Sequence, residues 1–222
     1  MEYQLDFGAL LEYVDLFAEG AAVTLGLTAV SAVAGVAVGI FGAAALWSGR
    51  SWMRWPIVTY VELIRNTPFI VQMFFIFFGL PSLGLRLTAL QAAALAMTIN
   101  LGAYAIEIVR AGLESVPDGQ GEAGRSVGLH AIPIFVLIIL PQALVTVYPA
   151  LVSQITITML ESAVVSQIAV VDLTHVGDFI QSRNFRAFET YVVITVIYLV
   201  MALLMRRLLA LAGFRLFAGR GR

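Results

Sequence analysis

An all-α membrane protein with about five spanning helices is the fold class that this sequence predicts. Three observations carry that expectation. The 222 residues are 60% apolar and 12% charged, with a mean hydropathy of +0.93. Soluble domains run nearer 45–50% apolar and 25% charged, so this chain cannot cover a water-facing surface. Residues 20–49 and 126–160 hold no Asp, Glu, Lys or Arg, and each run exceeds the ~20 residues that cross a bilayer core. Arg50-Ser51-Trp52-Met53-Arg54-Trp55 sets two arginines among tryptophans, the pattern of a membrane edge.

Taken in order, residues 1–19 alternate acids (Glu2, Asp6, Glu12, Asp15, Glu19) with leucines. They predict a short amphipathic helix on the membrane surface, with a disordered tail as the alternative. The acidic start is not that of a cleavable signal peptide. The first span covers about 21–47. Its Gly35, Gly39 and Gly42 have the small-residue spacing that lets helices approach closely in lipid, for packing within the protein or for a subunit contact. The second span covers about 57–80, with Pro68 expected to kink it. Glu62 and Arg65 stand three apart near its start, on one helical face, as an orienting ion pair or a gate. The third span covers about 88–109. Asn100 falls near its middle and Tyr104 one turn later; Asn100 must face protein or water, in an interhelical hydrogen bond or on a substrate route. Glu107 and Arg110 close this span as a second structural or gating pair.

A polar stretch follows, Gly121-Glu122-Ala123-Gly124-Arg125-Ser126-Val127-Gly128-Leu129. It predicts a short helix over 122–127 stopped by Gly128, whose backbone can turn left-handed. The product is a small knob off the bilayer bearing one acid and one base, a shape another protein can hold. Pro133, Pro141 and Pro149 interrupt the next apolar run; a helix returning to the membrane is placed before Pro141 and a fourth span over about 142–167. Glu161 lies inside that span beside Ser162. A carboxylate there costs ~2.5 kcal/mol or more, so Glu161 is a functional candidate or the partner of an arginine. Residues 170–186 are polar and lie outside the bilayer; His175 there reads as a surface residue rather than a metal ligand. A fifth span covers about 189–205, and Arg206, Arg207, Arg215, Arg220 and Arg222 form a basic tail.

Composition also excludes chemistries. The 13 basic residues are all arginine, and a phosphate-gripping P-loop needs its Lys, so the chain does not supply ATP hydrolysis. There is no Cys, hence no disulfide, thiolate metal site or thiol nucleophile. His130 and His175 are far apart and have no ligand-type spacing. No catalytic or metal-binding set is expected.

The run Glu122-Ala123-Gly124-x3-Gly128-Leu129, with Leu140-Pro141-Gln142-Ala143 after it, resembles the coupling loop of ABC importer permeases, usually written Glu-Ala-Ala-x3-Gly. Two more stretches sharpen the resemblance to the polar amino acid family of histidine, glutamine and arginine type: Tyr60-Val61-Glu62-Leu63-Ile64-Arg65-Asn66-Thr67-Pro68 and Ala103-Tyr104-Ala105-Ile106-Glu107-Ile108-Val109-Arg110-Ala111-Gly112. It extends over about 20–207. Two departures stand out: Gly124 replaces the family's Ala, and Glu161-Ser162-Ala163-Val164 stands where Asn-Thr-Ser-Leu is common. The resemblance implies a type I importer permease fold in the bacterial inner membrane. It also implies a second permease copy or homologue, two cytoplasmic ATPase subunits that hold ATP and Mg, and an external solute-binding protein. No nucleic acid is implied. Glu122, Ala123, Gly124, Arg125 and Gly128 would form the ATPase-coupling site, and Asn100, Tyr104, Glu161 and Ser162 the substrate route.

Arginine placement orients the chain independently. With the N-terminus outside and the C-terminus cytoplasmic, nine arginines (50, 54, 110, 125 and the five of the tail) are inside and three (86, 183, 186) outside, with Arg65 at an edge and uncounted, as the positive-inside rule requires. The expected organisation is an external interfacial segment (1–19), a transmembrane permease domain (20–210) with a cytoplasmic coupling loop at about 111–140, and a basic cytoplasmic tail (211–222). The competing class is an ion- or proton-coupled secondary transporter or channel using Glu161 and Glu107 as a relay, for which a docking knob has no use. A membrane anchor without transport explains less still.

Overall fold

The computed structural model describes residues 4–218, and every regular element among them is helical. A 3-10 turn (Gly8–Tyr13) runs straight into α1 (Val14–Trp47), so residues 8–19 are continuous with the helix that follows them. α2 (Ser51–Arg65) and α3 (Phe69–Phe74) follow; α3 continues through a π turn (Phe75–Gly79) and a 3-10 turn (Leu80–Leu83). α4 spans Ala89–Glu114 and α5 Asp118–Ser126. The one-turn α6 (Ala131–Pro133) leads through a π segment (Ile134–Ile139) into α7 (Leu140–Glu161), which tightens into a 3-10 turn (Ser162–Ile168). α8 (Leu173–Asn184) and α9 (Ala187–Phe217) complete the chain.

Gly8–Trp47, Ala89–Glu114, Ala131–Ile168 and Ala187–Phe217 are each long and apolar enough to cross a bilayer, and Ser51–Arg65 with Phe69–Leu83 make a fifth span if counted as one. Prolines account for two differences from expectation. Pro68 does not kink a continuous helix; it stands as the extended cap of α3 (ψ 138°), because the residue before a proline is driven out of the helical region. Pro141 interrupts nothing. It lies inside a helix that runs unbroken over Ala131–Ile168, and the wide π segment Ile134–Ile139 just before it gives room for the ring and its missing N–H. Residues 170–186, expected only as a polar segment, contain α8. Its cap is Asp172, whose carboxylate accepts the His175 N–H at 2.9 Å. Arg206, Arg207 and Arg215 belong to α9; Arg220 and Arg222 of the tail and Glu2 of the first segment lie outside the described residues.

Two compact units divide the chain: Met1–Ala32, Pro68–Thr98 and Thr156–Met205 form the first, and Val33–Thr67, Ile99–Ile155 and Arg206–Arg222 the second. In the first unit Leu10, Phe17, Met159, Leu173, Val176, Ile180, Ile194 and Met201 make the buried core. α1 meets α8 at Gly20, where an added Cβ would lie 2.9 Å from the Leu173 Cα. Thr24 accepts the Leu173 N–H at 3.2 Å. Asp172 is fully buried, and its second oxygen accepts from the Tyr198 hydroxyl at 3.3 Å. Burial pushes the Asp172 carboxyl above the usual carboxylate range, against the N–H groups of His175 and Thr174 and the Tyr198 hydroxyl, which favour the anion. The buried Glu189 accepts from Arg186 at 3.0 Å and from the Asp6 N–H at 3.1 Å, tying the start of the chain to the start of α9.

In the second unit the core comprises Ala43, Ala105, Val109, Leu113, Ile134, Ile139, Ala143, Val147 and Leu151. α1 crosses α4 through the three spaced glycines: Gly35 faces Leu101, Gly39 faces Ala105 and Gly42 faces Ile106. A Cβ on Gly39 would meet the Ala105 backbone carbonyl carbon at 2.9 Å. The small-residue spacing therefore serves packing inside the chain.

Candidate functional site

The polar knob is α5 and the turn after it, both in the second unit. Pro117 enters in an extended conformation and Asp118 occupies the first turn, while Arg125 occupies the last; both charges complement the helix dipole. The helix begins four residues before the expected Glu122, since Asp118 is a good first-turn residue and Pro117 a natural boundary. It ends as anticipated. Gly128 is left-handed (φ +81°), its N–H reaches Arg125 O at 3.0 Å, and the Leu129 N–H reaches Gly124 O at 3.1 Å. That pair of bonds is the Schellman closure.

α5 is docked along one side only. Gly124 is buried, and a Cβ there would come within 2.8 Å of Ile134 Cγ1 and 3.1 Å of Ile138 Cδ1. The Gly-for-Ala departure therefore matches a close approach of α5 to the π segment, and the ~1 kcal/mol of helix propensity given up is offset by contact. Glu122, Ala123 and Arg125 are exposed, as are Val127 and Ile132. At the base of the knob Gln142 donates to Ile138 O at 2.8 Å and approaches Gln120 at 3.5 Å.

The expected ion pairs are rearranged. Glu107 accepts two hydrogen bonds from Arg110, at 3.1 and 3.0 Å, and Arg65 of α2 reaches it at 3.6 Å. Arg110 also bonds Glu114. Arg65 does not pair with Glu62; its guanidinium lies over the Tyr104 ring, 5.3 Å from the centroid. Glu62 accepts instead from the Asn66 side-chain amide at 2.9 Å. Arg65 is the last residue of α2, so its long side chain extends past the helix end to α4 rather than back along its own helix. Sequence spacing showed the i,i+3 pair Glu107–Arg110; the link from Arg65 to Glu107 joins residues 42 apart, which no local pattern reveals.

Of the substrate-route candidates, Asn100 is 4% exposed and Tyr104 half-buried, both on α4 in the second unit. Glu161 and Ser162 belong to the first unit. Glu161 is the last residue of α7, half-buried, and makes no ion pair among the described residues. Ser162 is fully buried and donates to Met159 O at 2.6 Å, and the 3-10 turn ends at Ala169 with φ +61°. Glu161 therefore sits at a change of helical pitch, a feature frequent at functional positions. The arginine pairing considered for it from sequence is not formed. Among the described residues no group of acids or histidines could hold a metal ion.

These features, several apolar spans with a capped polar helix between the third and fourth, define a multi-span membrane permease. Residues 35–217 match the model of the binding-protein-dependent transport system inner membrane components, and the chain belongs to that family. It is 33% identical to the glutamine transport system permease protein GlnP of Escherichia coli K12 over 204 residues, which is 91% of this chain and 93% of that one. It is 31% identical to the arginine transport system permease protein ArtQ of Bacillus subtilis, over 90% and 92% of the two chains. A crystal structure of an amino acid ABC transporter superposes with TM-score 0.86 at 38% identity, covering 96% of this chain and all of that one. The fold is that of type I ABC importer permeases.

Proposed function

We propose that this chain is the transmembrane subunit of an ATP-driven importer for polar amino acids or close derivatives, in the bacterial inner membrane. The observation that carries the reading is α5: a helix closed at its C-terminus, docked on one face, with Glu122 and Arg125 presented on the other. The relatives' glutamine and arginine substrates support the substrate class. Two permeases, identical or homologous, would enclose the pathway. An external binding protein would deliver the solute, and two cytoplasmic ATPases holding ATP and Mg would grip the two α5 helices. Closure of the ATPases would move α5 as a rigid body and tip the spans between inward- and outward-open states. This requires the ATPases to bind the two states unequally.

Glu161, with Asn100, Tyr104 and Ser162, would line the substrate route. A carboxylate in place of the family's amide suits a ligand carrying an ammonium or guanidinium group. Arg65, Glu107 and Arg110 would hold the mouth of the pathway.

The chain has no cysteine, which makes the test direct. Arg125→Cys, reconstituted with ATPases bearing cysteines along their docking cleft, should cross-link, and ATP should change the yield. A cysteine at Trp52 serves as the control and should not link. Absence of linkage at position 125, or transport driven by membrane potential with no ATP requirement, would sink the assignment.

A further inference from the structure

A cavity of about 400 Å³ lies in the second unit between the end of α1, one stripe of α2 and the last turns of α4. Its size falls in the range of small-ligand sites. Arg54, Val58 and Glu62 recur every fourth residue along α2 and all line it, together with Trp47 of α1 and Arg110 and Glu114 of α4. The charges in this lining are unevenly committed. Arg110 is saturated by Glu107 and Glu114. Arg54 makes no ion pair or side-chain hydrogen bond among the described residues, and Glu62 accepts only from a neutral amide. The cavity thus offers one cation and one anion without an ionic partner, eight residues or about 12 Å apart along the helix.

We propose that this cavity binds the headgroup of an ethanolamine phospholipid, with its phosphate on Arg54 and its ammonium on Glu62 and the free edge of Glu114. An anionic headgroup is disfavoured, because three carboxylates line the site against two guanidiniums, one of them already paired. A simple cation is disfavoured by Arg54. A free zwitterion meets the charges but leaves the apolar side unexplained. A lipid explains both: Trp47 lines the site, and Trp52 and Trp55, 72% and 75% exposed, flank Arg54 in the sequence of α2, as amphipathic rings do at a bilayer interface. The ethanolamine ammonium has three N–H donors for carboxylates; a choline headgroup of equal charge has none, so the two lipids separate hydrogen bonding from charge. The inference does not rest on the transport reading.

All three tryptophans of the chain are these three, so fluorescence excited in tryptophan alone reports on this region. The full chain is placed in choline-lipid nanodiscs containing a minor fraction of brominated ethanolamine, choline or glycerol phospholipid, and quenching is compared. Brominated ethanolamine lipid should quench at about tenfold lower fraction than brominated choline lipid, the lower end of the effect of one net charge-assisted hydrogen bond. Arg54→Gln and Glu62→Gln should each reduce that preference to near one, with the thermal unfolding midpoint in the same discs showing the fold intact. Equal quenching by all three lipids, stronger quenching by glycerol lipid, relief of quenching by free serine, or a preference unchanged in both variants would each overturn the proposal.

Discussion

Gly128 offers the sharpest test of the coupling knob, because its role is purely one of backbone. Its φ of +81° is in the left-handed region, and an added Cβ would meet nothing within 4 Å. Any effect of substitution therefore comes from the cost of that conformation and not from a clash. A residue with a Cβ meets about 1–2 kcal/mol there, a β-branched one most and Asn least. The closure at stake consists of two hydrogen bonds, Gly128 to Arg125 at 3.0 Å and Leu129 to Gly124 at 3.1 Å. A change of 1–2 kcal/mol shifts the closed population by roughly 5–30-fold, enough to fray the turn that presents Arg125. Gly128→Val should insert normally yet lose most substrate-stimulated ATP turnover in the reconstituted complex; Gly128→Ala should be intermediate and Gly128→Asn near wild type. Full coupling in Gly128→Val, or an Asn variant as impaired as the Val one, would refute the reasoning.

Four further outcomes are expected. Gly39→Val should destabilise the second unit by about 1–3 kcal/mol, since Gly39 faces the Ala105 backbone, and thermal unfolding in detergent measures it. Glu107→Gln, which strips a partner from both Arg65 and Arg110, should lower stability by about 1–2 kcal/mol, whereas Glu114→Gln, at a side chain 63% exposed, should change it by less than about 1 kcal/mol. Glu161→Gln should reduce uptake of ammonium- or guanidinium-bearing substrates while basal ATP turnover persists; unchanged uptake of every substrate would remove Glu161 from the route. Because the Asp172 carboxyl is raised on folding, its contribution is present below the ordinary carboxylate range (about pH 3.9) and declines as pH rises through the raised value. Asp172→Asn keeps an acceptor for the His175 N–H, so it should match wild type in acid and equal or exceed it near pH 7, while Asp172→Ala loses the cap at a cost of about 1 kcal/mol.

What the sequence made legible was local. Gly128 as a helix stop, the glycine spacing of α1 and the Glu107–Arg110 pair each follow from residues within one or two turns, and the structure contains them. Proline was read less well, because its effect depends on how the neighbouring backbone adapts: Pro68 stands between two helices, whereas Pro141 is accommodated in a continuous helix by the π segment before it. The buried acids were missed for another reason. Asp172 resembles a loop charge in a polar stretch and Glu189 a charge at the edge of a span, and only the long-range partners Tyr198 and Asp6 show that they are interior. A sequence clue existed at Asp172, an N-cap type of residue just ahead of Leu173-Thr174-His175-Val176, a run that helix-start chemistry would have identified as α8.

The structure also bears on the competing class, a transporter that relays protons or ions through Glu107 and Glu161. A relay needs carboxylates able to give up and regain charge or a bound cation in turn. Glu107 has both oxygens engaged by Arg110 and a further contact from Arg65, so a migrating cation would have to displace two guanidiniums to reach it. That leaves Glu161 as the remaining intramembrane acid of the pair, half-buried and without an ion pair among the described residues. One acid does not make a relay, and the importer proposed above needs only one to meet a cationic part of a solute. A relay also has no use for α5, whereas the importer proposed above gives its exposed Glu122 and Arg125 a partner to meet.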